Sequence, residues 1–121
     1  MSAAVGWFEI YVSSIERAKH FYETVFQCKL EQLNSPEIQM WSFPHSATGG
    51  APGALVQVPG FEPGSNSIMI YFSCEDCGIE ESRVVAAGGQ VQRTKMAIGE
   101  YGFVTLIKDT EGNTIGLHSN H

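Results

Sequence analysis

Residues 5–12 read VGWFEIYV, and residues 68–74 read IMIYFSC. Both are apolar stretches of strand length, and both run into a helix-start signal. The first leads to Ser13-x-x-Glu16, the pattern of a capping box; the second leads to Asp76, with Glu80 and Glu81 in the following turns. The offset is about 61 residues, half of the 121-residue chain. A short unit written twice is too small in each copy to bury its own faces. The two copies are therefore expected to share one core, as a single domain over 1–121 made of modules 1–60 and 65–121.

The first stretch alternates. Phe8, Ile10 and Val12 point one way; Trp7, Glu9 and Tyr11 point the other. Ile15, Ala18, Tyr22, Val25 and Phe26 recur at helical spacing and make a stripe that should cover the Phe8/Ile10/Val12 face. The Trp7/Glu9/Tyr11 face is then free to line a cleft. Further strands are expected at 28–34, 38–43 and 53–58, with a turn-rich loop HSATGGAPG at 45–53 and a linker PGFEPGSN at 59–66. In the second half, a strand at 68–74 precedes a helix over 76–87, a Gly88-Gly89 stop, and strands at 90–94, 102–108 and 114–118. Asp109-Thr110-Glu111-Gly112-Asn113 is the turn before the last strand. Each half reads β-α-β-β-β, an α+β class.

Composition narrows the function classes. With 43% apolar and 17% charged residues, the chain has the make-up of a soluble globular protein. No apolar run approaches the ~20 residues of a membrane span, and MSAAVGWFEI lacks the pattern of a secretory signal. A net charge of −6, with seven Lys and Arg spread along the chain, gives no electrostatic footprint for nucleic acid. Three cysteines, an odd number, suit a reduced cytoplasm better than a disulfide scaffold. Cys74-Glu75-Asp76-Cys77 has Cys-x-x-Cys spacing at a strand-to-helix junction, but its two acids favour the thiol form, and packing accounts for it better than redox chemistry.

The order of motifs resembles the vicinal oxygen chelate superfamily of glyoxalases, bleomycin-resistance proteins and extradiol dioxygenases. WFEIYVSSIERAKHFYETVF (7–26) looks like its opening, with Gln27 where that pattern usually has Gly. AAGGQV (86–91) and KDTEGNTIGL (108–117) look like its second-half markers. The resemblance implies two βαβββ modules curling into a shared cleft. In metal-dependent members it implies one His or Glu on each of four strands. Those positions fall here on Trp7, on Met69, on Gly116 and within GALVQV (53–58), which holds no His, Asp or Glu. Trp and Gly cannot ligate through a side chain, and Met is a poor ligand for hard or borderline divalent ions. No metal site and no cofactor are therefore expected.

Glu9 is the one charged residue of its strand. Beside an indole in a concave site it would act as a base, the candidate catalytic residue, or accept from a cationic or hydroxylated ligand. Trp7, Glu9, Tyr11, Trp41, Tyr71 and His118 are the candidate ligand-binding residues, an aromatic wall suited to a flat or apolar molecule. Phe43 and Phe103 also fall on alternate strand positions. His118 lies two residues beyond Gly116 and should face the same side; His45 lies in the loop; His20 is on the polar side of its helix. Glu9, His45 and His118 would be the alternative metal trio, though no local motif links them. Two classes stay open: a small-molecule-binding or sequestering protein, and an enzyme (lyase, isomerase or dioxygenase), either metal-free through Glu9 or metal-dependent. Exposed sheet edges on an acidic chain favour a homodimer.

Overall fold

A computed structural model describes residues 3–33, 38–45, 49–64 and 66–121. The last residue of the strand expected at 28–34, positions 46–48 of the turn-rich loop and position 65 of the linker lie outside the described residues. The order is β1 (Phe8–Tyr11), α1 (Ile15–Phe26), β2 (Glu31–Gln32), β3 (Gln39–Ser42), β4 (Gly53–Gln57), β5 (Tyr71–Ser73), α2 (Cys77–Val84), β6 (Gln90–Ala97), β7 (Phe103–Lys108) and β8 (Thr114–Ser119). A 3-10 turn, Gly99–Tyr101, joins β6 to β7. This is an α+β fold of two four-stranded mixed sheets, ordered β1-β4-β3-β2 and β5-β8-β7-β6.

The repeat offset is 62 residues rather than 61, and it extends to individual hydrogen bonds. Val12 N–H donates to the Val56 carbonyl, and Cys74 N–H to that of His118. The helices start at Ser14 and Asp76, the N-caps of α1 and α2. In each case an orphan N–H of the first turn finds a side chain on the last strand of its own module. Ile15 N–H donates to Gln57 Oε1 (2.7 Å), and Cys77 N–H to Ser119 Oγ (3.0 Å).

Several bounds differ from expectation. β1 and β5 are shorter, and each is a sheet edge, laddered only to β4 and β8 respectively. β2 keeps two residues, both exposed. β6 is longer than expected, reaching Ala97 through two register shifts against β7. α2 stops at Val84, and a turn follows in which Gly88 takes φ 102°. A Cβ on Gly89 would overlap the Lys108 carbonyl and the Phe21 ring, so the Gly-Gly pair is both a stop and a point of close approach. Ser13 is not the N-cap and Glu16 closes no capping box. Ser14 Oγ accepts from Arg17 N–H (3.3 Å), and a carboxylate from the other module serves the preceding residues.

That carboxylate is Glu111. Its Oε1 accepts from Ser13 N–H, Ser13 Oγ and Ser14 N–H, each at 3.0 Å. Arg17 clamps it with Nε to Oε2 at 2.7 Å and Nη2 to Oε1 at 2.9 Å. Burial alone pushes the Glu111 carboxyl up; hydrogen bonds from Arg17, Thr110, Ser14 and Ser13 outweigh it and hold the group at about 2. Asp109, in the same turn, accepts from the Tyr22 hydroxyl at 2.7 Å inside the core, and Asn113 Nδ2 donates to the Tyr11 carbonyl. The Asp-x-x-Gly-Asn turn thus ties the second module to the first helix and first strand.

The core sits between the sheets and the two helices. Ile10, Val12, Phe21, Tyr22, Val25 and Leu55 come from the first module, and Cys77, Val84, Ile107, Ile115 and Leu117 from the second. Phe8, Phe26, Phe43 and Phe72 join it as an aromatic cluster around Tyr22.

Candidate functional site

Strand register decides which residues share a face. In the first sheet, Ile10, Leu55 and Trp41 stand in one row across β1, β4 and β3; Glu9, Ala54 and Ser42 stand in the next. The Ile10 row is the helix-facing side, because Ile10 and Leu55 belong to the shared core. Trp41 is therefore on the wrong face for the cleft, and the expectation that it lines the cleft wall is corrected. Its indole packs against the core with the Lys19 ammonium 3.7 Å above the ring. Pairing register, which alternation along one strand does not reveal, put it there.

The opposite face of β1 carries Trp7, Glu9 and Tyr11, as anticipated. Trp7 Nε1 donates to Glu9 Oε2 (3.1 Å) and the Tyr11 hydroxyl donates to Glu9 Oε1 (2.7 Å). Phe61, from the linker, stacks on Tyr11 with centroids 5.2 Å apart. The Glu9 hydrogen bond, then burial, then the Glu9 charge raise the Tyr11 phenol above its ordinary value. The carboxylate is fixed between two aromatic donors, and each oxygen keeps capacity for a ligand donor. Trp7, Glu9, Tyr11, Met69 and Tyr71 line one cavity of about 730 Å³ along the seam between β1 and β5.

Tyr71 borders a second hollow of about 520 Å³, on the face of the second sheet turned away from the helices. Arg93, Met96, Tyr101, Leu106 and His118 line it too. His118 Nε2 lies 2.7 Å from the Tyr101 carbonyl. A carbonyl only accepts, so Nε2 is the donor in this contact. Arg93, Met96 and Tyr101 were not among the residues anticipated. Arg93 and Met96 share the hollow despite their odd spacing because the ladder shifts register between them. His45 lines a different depression, with Phe43 and Gly49.

The metal positions implied by the resemblance lie on β4 and β8 and just ahead of β1 and β5. Gly116 pairs with Tyr71 as Ala54 pairs with Glu9, 62 residues earlier, which makes Ala54 the fourth position. The set is thus Trp7, Ala54, Met69 and Gly116, and it does not fit a divalent ion. A Cβ on Gly116 would overlap the Tyr71 ring, so an aromatic side chain fills the space a ligating side chain would need. Among the described residues, no three His, Cys, Asp or Glu are grouped to hold a metal, the Glu9, His45 and His118 trio included. The Cys-x-x-Cys thiols are unpaired. Burial first, then Glu80, pushes the Cys74 thiol up to about 12, far from a reactive thiolate.

Comparison with known proteins gives one family and many structures. The sequence model of the Glyoxalase/Bleomycin resistance protein/Dioxygenase superfamily matches residues 4–117. A glyoxalase-related enzyme from Fulvimarina pelagi superposes with a TM-score of 0.74 at 19% identity, over 98% of this chain and 89% of that one. TnmS3, an antibiotic binding protein from Streptomyces sp. CB03234, superposes with a TM-score of 0.69 at 25% identity, over 98% and 96%. A glyoxylase/bleomycin resistance protein/dioxygenase domain from Frankia sp. EAN1pec covers 100% of both chains at 14% identity and a TM-score of 0.74. No curated protein matches the sequence.

Proposed function

The chain belongs to the Glyoxalase/Bleomycin resistance protein/Dioxygenase superfamily, and on that premise we propose that it is a small-molecule-binding protein of the resistance or sequestering kind, whose cleft works without a divalent metal. The observation that carries this is the content of the four metal positions. Trp7, Ala54, Met69 and Gly116 offer no ligand suited to a hard or borderline divalent ion, and the Tyr71 ring lies across the last of them. Where relatives would hold an ion, this chain holds aromatic surface. The antibiotic-binding neighbour at 25% identity supports the same direction.

The occupant this cleft suits is flat and largely apolar, packed against Trp7, Tyr11 and Tyr71, with Glu9 accepting a hydrogen bond from it. Glu9 serves here as a ligand contact, since both its oxygens are already oriented by Trp7 and Tyr11. Homodimerisation and a cytoplasmic location belong to the same proposal. The first is supported by exposed apolar side chains outside the cleft, such as Ile79 and Val85, the second by three unpaired cysteines. Among the described residues no helix is long and apolar enough to cross a membrane.

The test is a thermal-shift screen of planar aromatic compounds in the presence of EDTA. Stabilisation by at least one compound, diminished by Trp7→Ala or Tyr71→Ala, is the expected result. Stabilisation that appears only when a particular metal is added would replace this reading with a metal-dependent enzyme of the same superfamily.

A further inference from the structure

We infer that the hollow on the second sheet anchors a planar aromatic ligand through a carboxylate, with Arg93 as the charge partner. This rests on the reading of the cleft as a ligand site and names the chemical class of what enters it.

The argument starts from one cross-strand row. Tyr71 on β5 pairs with Gly116 on β8, Gly116 with Leu106 on β7, and Leu106 with Arg93 on β6. All four stand on the face turned from the helices. Gly116 has no side chain, so the Tyr71 ring lies down across β8 instead of standing up from β5. Leu106, with Val104 and Met96 beside it, makes an apolar floor. Arg93 closes the far end. Neighbouring strands are about 4.8 Å apart, so the run from Gly116 to Arg93 is about 10 Å, the length of two fused rings with one substituent.

The state of Arg93 supplies the charge argument. The chain has three arginines. Arg17 is clamped on Glu111, and Arg83 donates to the Val25 carbonyl at 3.0 Å. Arg93 has only the Met96 sulfur, at 3.7 Å, as a side-chain partner among the described residues. Thioether sulfur is a weak acceptor and leaves the guanidinium fork open. Glu100, in the neighbouring turn, is not part of the lining. A planar fork at the end of an apolar trough matches a carboxylate bidentately, and a ring resting on Leu106 beside Tyr71 presents its substituent there.

Three probes of one shape separate the outcomes: 2-naphthoate, 2-naphthalenemethanol and 2-naphthylmethylammonium, each titrated calorimetrically into the full chain at low salt. The expected order is naphthoate tightest, by about tenfold over the alcohol, and the ammonium weakest. Arg93→Gln should reduce naphthoate to the affinity of the alcohol without changing the alcohol. Arg93→Lys, which keeps charge but loses the fork, should fall between. Tyr71→Ala should weaken all three. If the wild type holds naphthoate no better than the alcohol, or if Arg93→Gln keeps the preference, the Arg93 subsite is overturned. The cleft reading survives that result when Tyr71→Ala still weakens binding. If no probe binds, or Tyr71→Ala changes nothing, both fall.

Discussion

Glu9 sits between an indole N–H and a phenol O–H on an edge strand, in no ion pair among the described residues. That environment separates a ligand contact from a structural charge. Glu9→Gln keeps an acceptor oxygen and strands no partner charge, so stability should change by no more than about 1 kcal/mol. The Tyr11 phenol should then titrate closer to its ordinary value, because its raised pKa comes first from this carboxylate. A spectrophotometric titration of tyrosinate in wild type and variant checks this. An unchanged Tyr11 titration, or a loss of several kcal/mol, would return Glu9 to a structural role. Its side of the strand was legible because alternation and the helix stripe are local patterns. Trp41 and Arg93 were not, since one depends on which residue stands opposite it and the other on a ladder irregularity.

At the scale of elements, the start of α1 is completed from the far end of the chain. Serine-rich helix starts are readable, but Ser13 and Ser14 bond to Glu111, 98 and 97 residues away, a distance no local pattern spans. The Glu111 carboxyl is held at about 2 against an ordinary 4.5. A carboxyl with a depressed folded value contributes stability fully above its unfolded value and loses it as pH falls toward the folded one. The Glu111 contribution should therefore be complete above about pH 5 and fade toward about pH 2. Glu111→Gln should cost on the order of 2–3 kcal/mol near neutral pH, discounted for the half-exposed Arg17 partner. Denaturant unfolding at about pH 7 and about pH 3 should show the gap between wild type and variant narrowing in acid. A gap of constant size would mean that the clamp acts by packing alone.

For the whole molecule, duplication was visible in the sequence as two strand-helix openings, and the structure carries it down to matched caps and hydrogen bonds. Sequence also carried the β-α-β-β-β order of elements in each half, because strand alternation, helical spacing and turn residues are local patterns. It did not carry the second hollow bordered by Tyr71, which assembles from β6, the 3-10 turn, β7 and β8. With edge strands exposed and apolar side chains such as Ile79 and Val85 uncovered, the expected assembly is a two-fold dimer. Sedimentation equilibrium at micromolar concentration should give twice the 13.2 kDa chain mass; a monomer there would remove the dimer from the proposal.

Elemental analysis of protein purified without chelator, paired with thermal unfolding before and after EDTA, decides whether the cleft works without metal. Trp7, Ala54, Met69 and Gly116 predict far less than one Ni, Zn, Fe or Mn per chain and an unchanged melting temperature. A stoichiometric ion, with a melting temperature that drops several degrees on chelation and recovers with that ion alone, would contradict it.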